Sequence, residues 1–157
     1  MAGENPRDLW EAVRQKQDRP ALIQNTITSI SHASPAMAAK FLAESPLDGE
    51  ARLTTERGLT ESWSSISPKE MFLWLSQNRS SFKSTATYST LFKNWAQRDI
   101  TDSSSALSNL PEGKDRDEGI IGLLSGATDI PEESKEAWLN GISDPDTRGK
   151  ARAKFSR

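Results

Sequence analysis

Apolar residues in this chain recur at steps of three and four. Leu22, Ile23, Ile27 and Ile30 form one series, Leu59 and Trp63 a second, and Tyr88, Leu91, Phe92 and Trp95 a third; Ile120, Ile121, Leu123 and Leu124 form a fourth. Such spacing places each series on one face of an α-helix. Helices are predicted near 6–17, 20–32, 35–45, 49–64, 68–78, 81–97, 100–109, 114–126, 131–140 and 146–155, and no β-strand is needed. Segment 100–109 has the least support, because Asp102-Ser103-Ser104-Ser105 is poor in helix formers.

The helices repeat. Leu42, Leu75, Leu107 and Leu139 stand at matching points, separated by 33, 32 and 32 residues, and a large aromatic precedes three of them, namely Phe41, Trp74 and Trp138. A helix-start signal introduces each stretch: Ser34-Pro35, Ser67-Pro68, Asp99-Ile100-Thr101-Asp102 and Asp129-Ile130-Pro131-Glu132. A side-chain oxygen at the cap takes an orphan backbone N–H, and proline suits the first turn, where its missing N–H had no partner. Ser67 with Glu70 adds a capping box. The second helix of each unit ends on Ile30, Trp63 or Trp95, five residues before Pro35, Pro68 and Ile100. Turns rich in Pro, Gly and Asp separate the paired helices at Ser45-Pro46-Leu47-Asp48-Gly49, Leu110-Pro111-Glu112-Gly113 and Asp144-Pro145-Asp146, and Arg52, Arg116 and Arg148 follow them. The fold expected is all-α: a single right-handed α-solenoid domain spanning 1–157, with units near 5–33, 34–66, 67–98, 99–129 and 130–157. The first unit is shorter, as suits a terminal cap.

Trp95-Ala96-x-x-Asp99, then Ala106-Leu107, then Leu110-Pro111-x-Gly113-x-x-Arg116-Asp117 resembles the helical repeat arrays of many uncharacterised planctomycete and verrucomicrobial proteins. In those arrays W-A-x-x-D-P ends one unit and L-P-x-G-x-x-R-D turns between two helices of the next. The likeness is clearest over 90–120 and runs more faintly from 34 to 148; Ile100 stands in place of the usual proline and Ala106 in place of the usual aromatic. It implies a solenoid of tetratricopeptide-like or HEAT-like architecture and little assigned chemistry. The leading Trp, Leu-Gly pair and following Tyr of true tetratricopeptide repeats are missing.

Composition narrows the function classes. The 157 residues carry a formal net charge of -2 with both signs mixed, which makes no field for steering nucleic acid or an anionic membrane. Cysteine is absent, which removes disulfides, thiolate metal sites and a cysteine nucleophile and leaves the compartment open. No targeting segment is expected in Met-Ala-Gly-Glu-Asn-Pro, and apolar runs such as Met71–Leu75 are too short to span a bilayer.

Candidate chemistry is sparse. His32 is the only histidine and reads as a helix-end residue; Glu132, Glu133 and the group Glu112, Asp115, Asp117 and Glu118 lie mostly in first helical turns, where negative charge suits the dipole. Asp144-Pro145-Asp146 lacks the ligand series of a calcium loop. Phosphate loops, dinucleotide fingerprints, nucleophile elbows and zinc-protease motifs are missing, and no serine has a neighbouring base. No cofactor and no metal site is expected.

The repeating Trp and Phe residues read first as core between helix pairs and second as a stacking platform. The function expected is therefore a non-catalytic scaffold for a protein or peptide. Trp10, near the open first face, and Arg52, Arg116 and Arg148 are its candidate contacts, although the arginines serve equally to hold adjacent repeats through carbonyls or carboxylates. The alternative is a nucleic-acid or acidic partner bound by the basic C-terminus, through Lys150, Arg152 and Lys154. An enzyme with an unfamiliar site has the least support.

Overall fold

A computed structural model describes residues 5–16 and 19–156. Ten α-helices occupy them: α1 Pro6–Val13, α2 Pro20–Ala33, α3 Pro35–Glu44, α4 Gly49–Ile66, α5 Pro68–Asn78, α6 Thr87–Arg98, α7 Ile100–Ser108, α8 Lys114–Gly126, α9 Glu132–Asn140 and α10 Pro145–Phe155. No strand occurs among the described residues, and no helix there is long and apolar enough to cross a membrane.

Of the expected caps, those at Ser34 and Asp99 form, whereas α9 opens at Pro131 without a side-chain cap. Ser34 accepts the Met37 N–H, Asp99 the Asp102 N–H and Asp144 the Thr147 N–H, opening α3, α7 and α10. The serine-rich segment after Asp99 is helical in spite of its composition; Ser103 is fully buried and its hydroxyl donates to the Ile100 carbonyl at 3.1 Å. Gly49 and Gly113 take positive φ, 51° and 150°, in the turns leading into α4 and α8, where a side chain would be strained.

Two boundaries differ by more than two residues from those predicted. Helix α1 stops at Val13, short of 17, in a turn in which the Lys16 N–H donates to the Val13 carbonyl; residues 17 and 18 lie outside the described residues. Helix α6 begins at Thr87, not 81. Arg79–Ser81 forms a 3-10 turn, Phe82 is buried edge-on against Trp74, and Glu56 takes the N–H groups of Lys83 and Ser84, so those residues are committed to tertiary partners.

The chain gathers into two compact units, residues 1–66 with 70–84 and residues 67–69 with 85–157. In the first, α2 packs against α1, α3 and α4, and α3 against α4. Its core holds Trp10, Ile23, Ile27, Phe41, Leu42, Trp63, Met71 and Leu75. In the second, α6 and α8 make the most extensive contact, with α7 against both and α9 and α10 packed on each other and on α8. The α6–α8 approach is backbone to backbone. A Cβ at Gly122 or Gly126 would overlap the carbonyl of Ser89 or Lys93, and one at Gly119 would press on Leu107 and Phe92. The repeat-matched leucines Leu42, Leu75, Leu107 and Leu139 are all buried, at 1%, 0%, 0% and 0% exposure, so the period is a period of core positions.

Candidate interaction grooves

Each unit carries an open groove walled by a tryptophan that directly precedes a repeat-matched leucine. In a helix, consecutive side chains point about 100° apart, and at these two positions the leucine lies in the core and the tryptophan on its flank, whereas Phe41 is buried along with Leu42. In the second unit, Trp138 of α9 is half-buried while Leu139 is fully buried. Trp138 and Ser134 face Ile100 and Ser104 of α7 across a groove of about 540 Å³. The ends of α6 and α8 close it, through Ala96, Gln97 and Gly126, together with the turn from Ala127 to Pro131.

The first-unit groove, of about 490 Å³, lies between α3, which supplies Ala36, Met37, Lys40 and Ala43, and α5, which supplies Trp74 and Asn78. Trp74 is held by Trp63, with ring centroids 5.7 Å apart, and by Phe82 edge-on at 5.9 Å. Leu73 beside it is 57% exposed.

Buried carboxylates tie second helices to the following turn. Glu56 of α4 is fully buried; its Oε1 accepts from the backbone N–H groups of Lys83 and Ser84, and its Oε2 lies 3.5 Å from Arg52 Nε. Arg52 also donates to the carbonyls of Leu42 at 3.1 Å and Ser81 at 2.8 Å. Asp117 of α8 acts alike, accepting from the Ser143 N–H at 2.8 Å, the Ser143 hydroxyl at 2.9 Å and the Asp144 N–H at 3.1 Å. Sequence reasoning missed these carboxylates as core groups, yet the signal was present. Glu56 lies three and seven residues before Leu59 and Trp63, and Asp117 three and seven before Ile120 and Leu124, so each falls on an apolar face.

Most sequence-derived candidates are engaged within the chain. Trp10, expected on an open face, is fully buried, stacked on Phe41 with centroids 5.2 Å apart, and its indole N–H donates to Glu44 at 3.0 Å. The reason is tertiary: α1 packs on α2, and α3 supplies both Phe41 and Glu44. Arg52 is 9% exposed and holds carbonyls, as above. Arg148 Nε donates to the Ile142 carbonyl at 3.0 Å, and the half-buried Arg116 has its Nε buried without a hydrogen-bond partner. In the basic C-terminus, Arg152 pairs with Glu136 at 2.8 Å and donates to Asn140, Lys154 lies over the Phe155 ring at 5.2 Å, and Lys150 is exposed. His32 is exposed in the last turn of α2. Among the described residues no group of three His, Cys, Asp or Glu side chains is placed to hold a metal ion.

Two carboxylates respond to their surroundings. Burial works against the charge of Glu44, but the Trp10 indole N–H, Arg7 and Arg14 outweigh it and hold the carboxyl below the usual range. Burial pushes the Glu118 carboxyl up, with Asp117 and Asp115 adding to the effect and Lys114 opposing it. Glu118 sits between α8 and α10, where one cavity brings it near Lys114 and Thr147 and another near Lys150 and Lys154. No family model, curated protein or solved structure matches the chain.

Proposed function

We propose that this chain is a right-handed α-solenoid of about five helix pairs that holds a peptide or protein segment and catalyses no reaction. The observation that carries the reading is the pair of grooves, one in each unit, each walled by a half-buried tryptophan next to a buried, repeat-matched leucine. Rings fixed in place by helices offer large contact area with little entropy left to lose on binding. The solenoid element of the proposal is supported by the buried leucines at 33-, 32- and 32-residue steps and by the positive-φ glycines Gly49 and Gly113, two periods apart. The resemblance to the planctomycete and verrucomicrobial arrays points the same way.

Selection of a random-peptide display library on the intact chain tests the binding element. The expected result is a set of sequences that compete with one another, saturate at one-to-one stoichiometry and change tryptophan fluorescence. Binding that vanishes between low and moderate salt and depends only on Lys150 and Lys154 would move the function to the basic C-terminus. Small-angle scattering tests the shape: an elongated, curved particle is expected, and a sphere of equal mass would overturn the solenoid.

A further inference from the structure

We infer that the groove beside Trp138 receives a cationic side chain, arginine or lysine, from the segment that the scaffold holds. This rests on the binding reading above and adds the chemistry of the partner. The lining of the groove includes no Lys or Arg, and its one ionisable group is Asp129. That carboxylate is exposed and makes no hydrogen bond or ion pair among the described residues. Helix α8 ends in the same wall, at Gly126, with no basic residue in its last turn, and the starts of α7 and α9, which also reach the groove at Ile100 and Pro131, carry Asp102, Glu132 and Glu133 in their first turns against the positive ends of their dipoles. The Trp138 ring is half-buried, lines the groove and, unlike Trp74, has no aromatic neighbour among the described residues, and an indole ring is the best side-chain partner for a cation.

Size and polarity agree. About 540 Å³ admits an arginine with its flanking residues. Ile100, Ile130 and Pro131 offer apolar surface to the methylene stem while the head reaches carboxylate and ring. An acidic side chain would meet like charge at Asp129. The first-unit groove does not share this preference: it contains Lys40, and its tryptophan is already packed by Trp63 and Phe82.

The test titrates the intact chain with three blocked heptapeptides and follows the indole N–H resonances by NMR. One peptide is Ala-Leu-Arg-Ala-Leu-Arg-Ala; the others carry citrulline, isosteric but uncharged, or glutamate at both arginine positions. The arginine peptide is expected to move the Trp138 resonance and to bind about fivefold or more tightly than the citrulline form. Asp129→Asn, an exposed change, should weaken the arginine peptide about threefold or more and leave the citrulline peptide unaltered. Equal affinity for citrulline or glutamate at Trp138, or indifference to Asp129→Asn, overturns the cation preference and leaves the binding scaffold standing. If none of the three peptides moves any indole resonance, the cation site is overturned, and the scaffold reading is then judged by the display selection alone.

Discussion

Asp117, buried in α8, accepts the backbone N–H of Ser143 at 2.8 Å and the Asp144 N–H at 3.1 Å. One carboxylate thereby holds the turn between α9 and α10, with Asp144 free to cap α10 through Thr147. Hydrogen bonds to a charged acceptor are about twice as strong as neutral ones, and removing the acceptor leaves its donors bare. Asp117→Ala should lower unfolding free energy by about 3 kcal/mol in urea titrations. Asp117→Asn, which keeps one acceptor oxygen, should lose clearly less. Equal losses would mean that volume, not hydrogen bonding, holds the turn.

Glycines within helices should respond in opposite directions according to what they face. Gly122→Ala drives a methyl group into the Ser89 backbone, which cannot yield as a side-chain tip would, and should cost about 3 kcal/mol or more. Gly58, mid-way along α4, has nothing within 4 Å of a built Cβ, so Gly58→Ala should gain about 1 kcal/mol from helix propensity alone. Thermal melts of the two variants check both signs.

Glu44 should matter at neutral pH and not in acid. Its folded carboxyl ionises below the ordinary value of 4.5, chiefly because the Trp10 N–H bond and the arginines outweigh burial. The stabilisation is therefore complete above that value and is lost as pH falls through the lower, folded one. Glu44→Gln is expected to destabilise at pH 7 and to match the parent chain in acid below both values. A difference that persists undiminished there would point to packing.

Glu118 should behave the other way. Burial raises its folded carboxyl above the ordinary value, so the charged form costs stability at high pH. That cost shrinks as pH falls through the raised folded value and is gone below 4.5. Glu118→Gln should stabilise the chain at pH 8, with the gain vanishing near pH 3; urea midpoints at the two pH values read it directly. A variant less stable at pH 8 would mean that Lys114 dominates the environment.

Little of the candidate site was legible in the sequence, where the repeating tryptophans read first as core and only Trp10 as a partner contact. Trp138 and Trp74 stand beside leucines at a fixed period, but so does Phe41, which is buried together with Leu42, so the spacing by itself does not say which aromatic reaches a groove. Which other residues share a groove with them was not visible, because Asp129, Ile100 and Gly126 come together only when helix ends meet. Glu56 and Asp117 were legible as misfits on apolar faces, but their partners lie 26 to 28 residues away in turns.

What the sequence determined by itself is the all-helical class, most helix limits and the spacing of core leucines, because caps, turns and apolar periodicity act between residues a few positions apart. Tertiary structure alone decided the fate of Trp10, drawn inside by Phe41 and Glu44, and the late start of α6, whose first expected turn gives its N–H groups to Glu56. It also decided how closely α6 and α8 approach, since Gly119, Gly122 and Gly126 look like weak helix positions until another backbone fills the space they leave. In each case a distant group outbids the local preference, and no window along the chain contains both partners.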